Sequence, residues 1–249
     1  MLKTTTKLLA MGLLLVSAAG CKTMYKPTMQ NVPLLSEQGD FKAVVNTSNV
    51  QAAYAVTDKV GVMANGYFRN NKWNAEAGST NWDYTNKWFN GEAAVGYYVP
   101  FSDEGRFEVY GGAGYGRVTY EREFTDQMSE PYYDKFSANN MRFFIQPNIG
   151  RSTENFEFAF STRLVGLQFN NVSQTGYTQE ELEFENLTGL DQSIHAFIEP
   201  GITIRGGYKW IKLHSQVIFS QKLTSTDINY NPFNMNFGIQ IDLSKKYRN

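Results

Sequence analysis

Nine ionisable residues fall on the polar parity of alternating segments: Glu92, Arg142, Glu157, Arg163, Glu199, Arg205, Lys212, His214 and Asp242. Their neighbours on the other parity are mostly apolar, and successive side chains of a β-strand point to opposite faces. The nine therefore share the polar face of whatever these strands build. Taken out of water together they would pair as salt bridges, because an isolated buried charge is very costly. Left unpaired, they would line a polar path or a binding site. A histidine beside carboxylates could instead activate water. His214 stands between Lys212 and Gln216, as a hydrogen-bonded interior residue would; His195 follows Asp191, Gln192 and Ser193 at a segment end. Asp83, Asp126, Asp134, Asp191 and Asp227 lie near other segment ends and could supply carboxylates there. Mixed signs favour a salt-bridged filling, with no catalytic residue, cofactor or metal ligand among the nine.

The stretch that shows best how such residues are positioned is Pro232 to Leu243. Phe233, Met235, Phe237, Ile239, Ile241 and Leu243 share one parity; Asn234, Asn236, Gly238, Gln240 and Asp242 share the other. A tilted strand crosses a bilayer in roughly 9–11 residues, which matches this run. Similar alternation predicts strands at Phe41–Thr47, Val50–Val56, Val60–Arg69, Tyr84–Val99, Arg106–Glu121, Phe136–Gly150, Phe156–Phe169, His195–Gly206, Trp210–Lys222 and Phe233–Leu243. Two of them, Arg106–Glu121 with its glycines and Phe156–Phe169 with a parity change near Leu164–Val165, would each need a β-bulge to keep the pattern. No helix of convincing length is expected.

Connections alternate in length. Thr57–Lys59, Pro100–Gly105, Arg151–Asn155 and Gly207–Lys209 are tight and rich in turn residues, whereas Asn70–Asp83, Arg122–Lys135, Asn170–Ile194 and Leu223–Pro232 are long. Short periplasmic turns and long outer loops mark a transmembrane barrel. The expected fold is all-β: a closed antiparallel up-and-down transmembrane β-barrel of about ten strands, eight being possible. Apolar residues such as Val62, Phe89, Val95, Phe143, Ile145, Phe160, Ile202, Ile204, Leu213 and Phe219 would face lipid. Trp73, Trp82 and Trp88 near outer ends, and Trp210 near a periplasmic turn, would form interfacial girdles. A water-facing barrel would carry Lys and Glu where these strands carry Gly, Ala, Asn and Gln.

Composition narrows function further. Charged residues are 19% and aromatics 15% of 249 residues, with a net charge of -1. Nothing steers such a chain toward nucleic acid. Mean hydropathy is -0.41, too polar for a helical membrane bundle but compatible with a barrel, where only alternate residues must be apolar. No serine sits in a Gly-x-Ser-x-Gly elbow, and Gly112-Ala113-Gly114-Tyr115-Gly116 lacks the Lys-Ser/Thr of a phosphate cradle.

The chain begins with Lys3 and Lys7, an apolar run from Leu8 to Val16, and Ser17-Ala18-Ala19-Gly20-Cys21. Residues 1–20 read as an export signal. Cys21, the only cysteine, resembles the acylated residue of a bacterial lipobox, although Ala18 stands where Leu is usual. Residues 21–40, with Pro27 and Pro33, read as a lipidated tether, and residues 41–249 as the barrel. An even strand count returns the C-terminus to the side where the chain starts.

Asn31-Val32-Pro33-Leu34-Leu35, Gly39-Asp40-Phe41-Lys42 and Gln51-Ala52-Ala53-Tyr54-Ala55-Val56-Thr57-Asp58 resemble the start of poorly characterised β-barrel outer-membrane lipoproteins of Bacteroidota. The likeness covers about residues 17–70 and implies fold and location, with no catalytic residues to carry over. It also implies that an acidic run after the cysteine would mark transfer to the cell surface; none follows Cys21, so the anchor and N-terminus are expected on the periplasmic side. The reading is then a structural or accessory protein without catalytic activity, in contact with outer-membrane lipid and docking to another outer-membrane complex. Two alternatives remain: a narrow-pore transporter of small solutes, and a rim protease similar to the ten-stranded omptins, whose Asp/His pairs would correspond here to His195 and the acids named above.

Overall fold

The computed structural model describes residues 22–77, 80–126 and 129–244. The export signal and Cys21 lie outside them. The strands are β1 (Phe41–Val45), β2 (Asn49–Ala55), β3 (Val60–Ala77), β4 (Thr80–Pro100), β5 (Gly105–Asp126), β6 (Ser129–Ser152), β7 (Phe156–Thr175), β8 (Ile194–Tyr208), β9 (Ile211–Phe219), β10 (Gln221–Lys222) and β11 (Phe233–Asp242). One helix, α1 (Gln179–Phe184), lies between β7 and β8. From β1 to β9 each strand pairs antiparallel with the next, and β11 pairs with both β9 and β1, which closes the sheet. β10 continues β9 against β8 in the same register. The break between them stands beside Pro200, which has no amide hydrogen to give to the ladder. The result is a closed antiparallel barrel of ten staves.

Local chemistry sets the turns at one end. Thr57 Oγ1 accepts from the Val60 amide (3.0 Å), Ser102 Oγ from Gly105 (2.8 Å) and Thr153 Oγ1 from Phe156 (3.0 Å). In all three a hydroxyl takes the place of a backbone acceptor, which fixes the chain reversal. At the other end the β1–β2 hairpin is held by Asn46, whose side-chain oxygen accepts from the Ser48 and Asn49 amides.

The walls at that second end rise higher than the sequence pattern predicts. Asn70–Asp83 and Arg122–Lys135, expected as loops, are mostly continuations of β3–β6 paired in register beyond the barrel mouth. Their polar composition suits a sheet wetted on both faces, and period-2 hydrophobicity is absent where no face is buried. The expected bulges are also absent from Arg106–Glu121 and from Leu164–Val165. β7 alternates without a break from Phe156 to Phe169, so Val165, Leu167 and Phe169 point inward. The parity of hydrophobicity changes there because the interior itself changes from polar to apolar. The register shifts occur higher, between Phe124 and Asp126 and between Ser137 and Asn139.

The outer wall is apolar. Phe237 is 64% exposed, Ile239 49%, Leu213 72%, Phe143 56% and Ile202 39%, a soluble core's worth of side chains facing away from the interior. The girdle expectation fails for three tryptophans. Trp73 stacks on Tyr84 with centroids 5.2 Å apart, Trp82 packs on Phe124, and Trp88 meets Tyr120 edge-on; all three occupy the inward parity. Aromatic partners on the neighbouring strand, directly or diagonally opposite, hold them there.

Inside, the N-terminal segment 22–40 runs the length of the barrel. At the high-walled end the Met24 amide donates to the Asn229 carbonyl (2.8 Å), and Tyr25 bridges Tyr230 in the β10–β11 connection. Midway, Gln30 and Gln216 exchange backbone–side-chain hydrogen bonds (2.9 and 2.8 Å). At the short-turn end the Leu35 amide donates to Glu108 (2.8 Å) and Gln38 to Asp58 (2.9 Å), after which Gly39 pairs with Ala55 and the chain enters β1. Lys22 and Ser244, the first and last described residues, are therefore at opposite ends of the barrel, not on one side as the strand count alone suggests.

Gly61 of β3 makes room for this segment, since a Cβ there would stand 2.6 Å from Leu35 Cδ1, while an inward glycine row on β5 lets the flanking strands and their side chains close in. A Cβ on Gly112 would stand 2.6 Å from the Ala93 carbonyl oxygen and 2.6 Å from Ala94 Cβ. Gly112→Val is expected to destabilise the barrel by about 1–3 kcal/mol, the usual cost of overpacking. A fall in the thermal midpoint relative to an outward Gly111→Val change, which meets nothing within 4 Å, would show it.

Candidate functional site

All nine sequence-predicted ionisable residues face the interior and are at most 5% exposed. The structure sorts them into three groups. In the first, from β7, β8, β9 and β11, Glu157 accepts from Arg205 Nη1 (2.8 Å) and Lys212 Nζ (3.0 Å). Asp242 lies 3.6 Å from Lys212. His214 Nδ1 accepts from Arg205 Nε (2.9 Å), which requires a neutral imidazole there. Lys42 of β1 completes the group, 3.2 Å from Glu157 and 3.4 Å from Asp242. Its Nζ also donates to the Leu34 carbonyl of the threaded segment. Leu34 itself is bent into the left-handed region (φ 51°) and fully buried, held there by contacts with Val32 and Ala159.

In the second group Glu92 of β4 binds Arg142 of β6 (3.1 Å) and Arg163 of β7 (3.2 Å), while Asn65 and Asn90 donate to the same carboxylate. Thr28 of the threaded segment donates to it as well (3.2 Å). Arg163 lies over the Phe144 ring, 4.3 Å from its centroid. In the third, Glu199 accepts from the Tyr25 hydroxyl and from Ser220 (3.2 Å). Each carboxylate is thus met by cations or by hydroxyl donors, the arrangement that a low-dielectric interior demands.

Sequence reasoning missed Lys42, Glu108 and the threaded segment. Lys42 was legible: in Phe41-Lys42-Ala43-Val44-Val45 it occupies the parity that faces inward. Glu108 was masked by the assumed bulge among the β5 glycines. Its side chain accepts from the Leu35 amide and from Asn148 (3.1 Å). Nothing in the periodicity of residues 22–40 distinguishes a lumenal segment from a free tether, because from Lys22 to Leu35 its partners are mostly on distant strands.

Above these groups the interior becomes apolar. Met24, Tyr25, Tyr120, Phe136, Phe144, Leu167, Phe169 and Phe197 form one cluster, roofed by Tyr177, Leu182, Leu187 and Leu190. Leu182 belongs to α1, whose capping box joins Thr178 and Glu181. The acidic run Glu180–Glu185 is therefore a lid helix with one buried face, not a structureless loop. Lys22 pairs with Glu185 at 2.5 Å and lies over the Tyr177 ring, so the start of the threaded segment is tied to this lid.

His195 is buried beneath the same lid. Its Nε2 faces the Leu190 carbonyl (3.0 Å) and so carries the proton, and its Nδ1 accepts from Thr226 (2.7 Å). Both ring nitrogens are occupied by non-acidic partners, unlike the Asp/His pairing of the rim-protease alternative. Asp134 instead pairs with Arg122, which also reaches Glu181. The bonding of His195 requires a neutral imidazole, so protonation of the ring as pH falls costs the lid the hydrogen bond accepted at Nδ1. The protection of residues 186–190 against amide exchange, taken relative to the intrinsic rate at each pH, is expected to fall between pH 7 and 5, and His195→Gln to remove that dependence; an equal fall in the variant would contradict it.

The fold and interior together define a closed ten-stranded β-barrel plugged by its own N-terminal segment. No protein-family model matches the chain, and neither curated proteins nor solved structures provide a match.

Proposed function

We propose that the protein is an outer-membrane β-barrel lipoprotein of a bacterium, held by its apolar wall and by an acyl group on Cys21. Its role is structural or accessory, docking to another outer-membrane complex, and it neither conducts nor catalyses. The observation that carries this reading is the filled lumen. From Met24 to Leu35 the chain lies almost wholly buried in the bore, and the interior carboxylates are bound to arginine, lysine, hydroxyl or amide partners. The outward apolar wall supports the membrane location: monomeric soluble proteins rarely expose contiguous apolar patches beyond a few hundred Å². The likeness to Bacteroidota lipoproteins agrees with it.

Planar-bilayer recording tests the reading. The full chain is expected to give no conductance steps, and a chain lacking residues 23–35 is expected to give them if it still inserts. Steps from the intact protein would favour the small-solute transporter instead. Affinity purification from intact outer membrane should bring down a defined partner protein; recovery of lipid alone would count against the accessory role.

A further inference from the structure

A lipoprotein anchor and a barrel C-terminus are normally expected on one side of the membrane, and the path of residues 22–40 is incompatible with that here. Three sets of contacts fix the direction of the thread. Lys22 pairs with Glu185 beside the lid helix, and Tyr120, high on β5, donates to the Thr23 carbonyl. Halfway along, Gln30 and Asn31 bond to Gln216 and Asn65. At the short-turn end Ser36 accepts from Arg106 (3.0 Å). The order of these contacts along the chain is their order along the barrel, so the segment crosses once, from lid to short turns. We infer that the N-terminal end of the chain, with any acyl group on Cys21, is displayed at the lidded mouth, on the membrane face opposite the C-terminus.

This inference rests on the outer-membrane reading above, in which the high-walled, lidded mouth faces outward. The anchor then sits in the outer leaflet, although no acidic run follows Cys21 to signal its transfer there. Delivery to the surface is accomplished by the fold. The barrel's own lumen carries the segment that joins anchor to sheet. Withdrawing the thread toward the short turns would strip the hydroxyl and amide donors from Glu92, Glu199 and Glu108 and empty the apolar cluster around Tyr25.

Two measurements test it. An epitope inserted between Cys21 and Lys22 is compared on intact and permeabilised cells with epitopes after Phe184 and within the Thr57–Lys59 turn. The N-terminal epitope is expected to share the accessibility of the Phe184 site. Accessibility matching the turn would overturn the inference while leaving the barrel in the membrane. Equal accessibility of the Phe184 and turn epitopes would overturn the membrane reading and the inference with it. On the purified full chain in detergent, a zero-length carbodiimide should couple Lys22 to Glu185, with loss of the coupled peptide in Glu185→Gln. Lys22 joined instead to Asp58, Asp103 or Glu104 would refute the threading itself.

Discussion

Glu157→Ala is expected to destabilise the barrel by about 3–5 kcal/mol, the range found when one member of a buried charge group is removed. Three cations converge on this carboxylate: Lys42 at 3.2 Å, Arg205 at 2.8 Å and Lys212 at 3.0 Å. All three are at most 3% exposed. Asp242 remains near both lysines but not Arg205, so the variant leaves at least one more positive charge in the bore than the neighbouring carboxylate can offset. Glu157→Gln keeps the volume and the acceptor for Ser152 Oγ (3.0 Å), and should recover only a minor part of the loss. The measurement is denaturant unfolding of the protein folded in lipid. A second change, Lys212→Met, should restore part of the stability lost in Glu157→Ala, because it brings the number of buried cations closer to what Asp242 alone can offset; strictly additive losses would contradict the network.

The second large effect lies on the opposite surface. Phe237 is at the middle of β11, 64% exposed, with Ser215 as its cross-strand partner. Phe237→Arg is expected to cost about 2–4 kcal/mol if that position lies near the bilayer midplane, where transfer of the charge into hydrocarbon dominates. A water-facing wall would respond within about 0.5 kcal/mol, the usual range for exposed sites without special contacts. The same substitution at Phe184, 79% exposed on the lid, provides the control and should be nearly neutral. If both positions tolerate arginine equally, the wall is not solvated by lipid.

What was legible in the sequence followed from short-range rules. Alternation in Phe233–Asp242 reads directly as one strand with two faces, and hydroxyl-bearing turns such as Thr57-Asp58-Lys59 announce tight reversals. These suffice for a barrel of about ten staves and for the side on which Glu92, Arg142 or Lys212 must fall. What failed had the opposite character. Trp88 was assigned by its place near a strand end, whereas its packing on Tyr120 turns it inward. Val165 and Leu167 were read as a phase error because the interior was taken to be polar throughout. Residues 22–40 carry no repeating pattern, since their partners at Glu92, Glu199 and Gln216 come from distant strands. A segment that borrows its whole environment from others leaves little of its position in its own composition.

The closing pair of strands carries a last consequence. β1 and β11 meet over only four residue pairs, Lys42–Asp242 to Val45–Ile239, the shortest contact between neighbouring staves apart from the two-residue β10. Residues 24–35 bring hydroxyl and amide donors to Glu92, Glu199 and Glu108 on the inside of this wall. A cylinder sealed first would hold those carboxylates without them, so the order that keeps them bonded lays this segment in the curling sheet before the brief junction zips. Closing β1 on β11 is then the last stitch, sewn around the barrel's own filling.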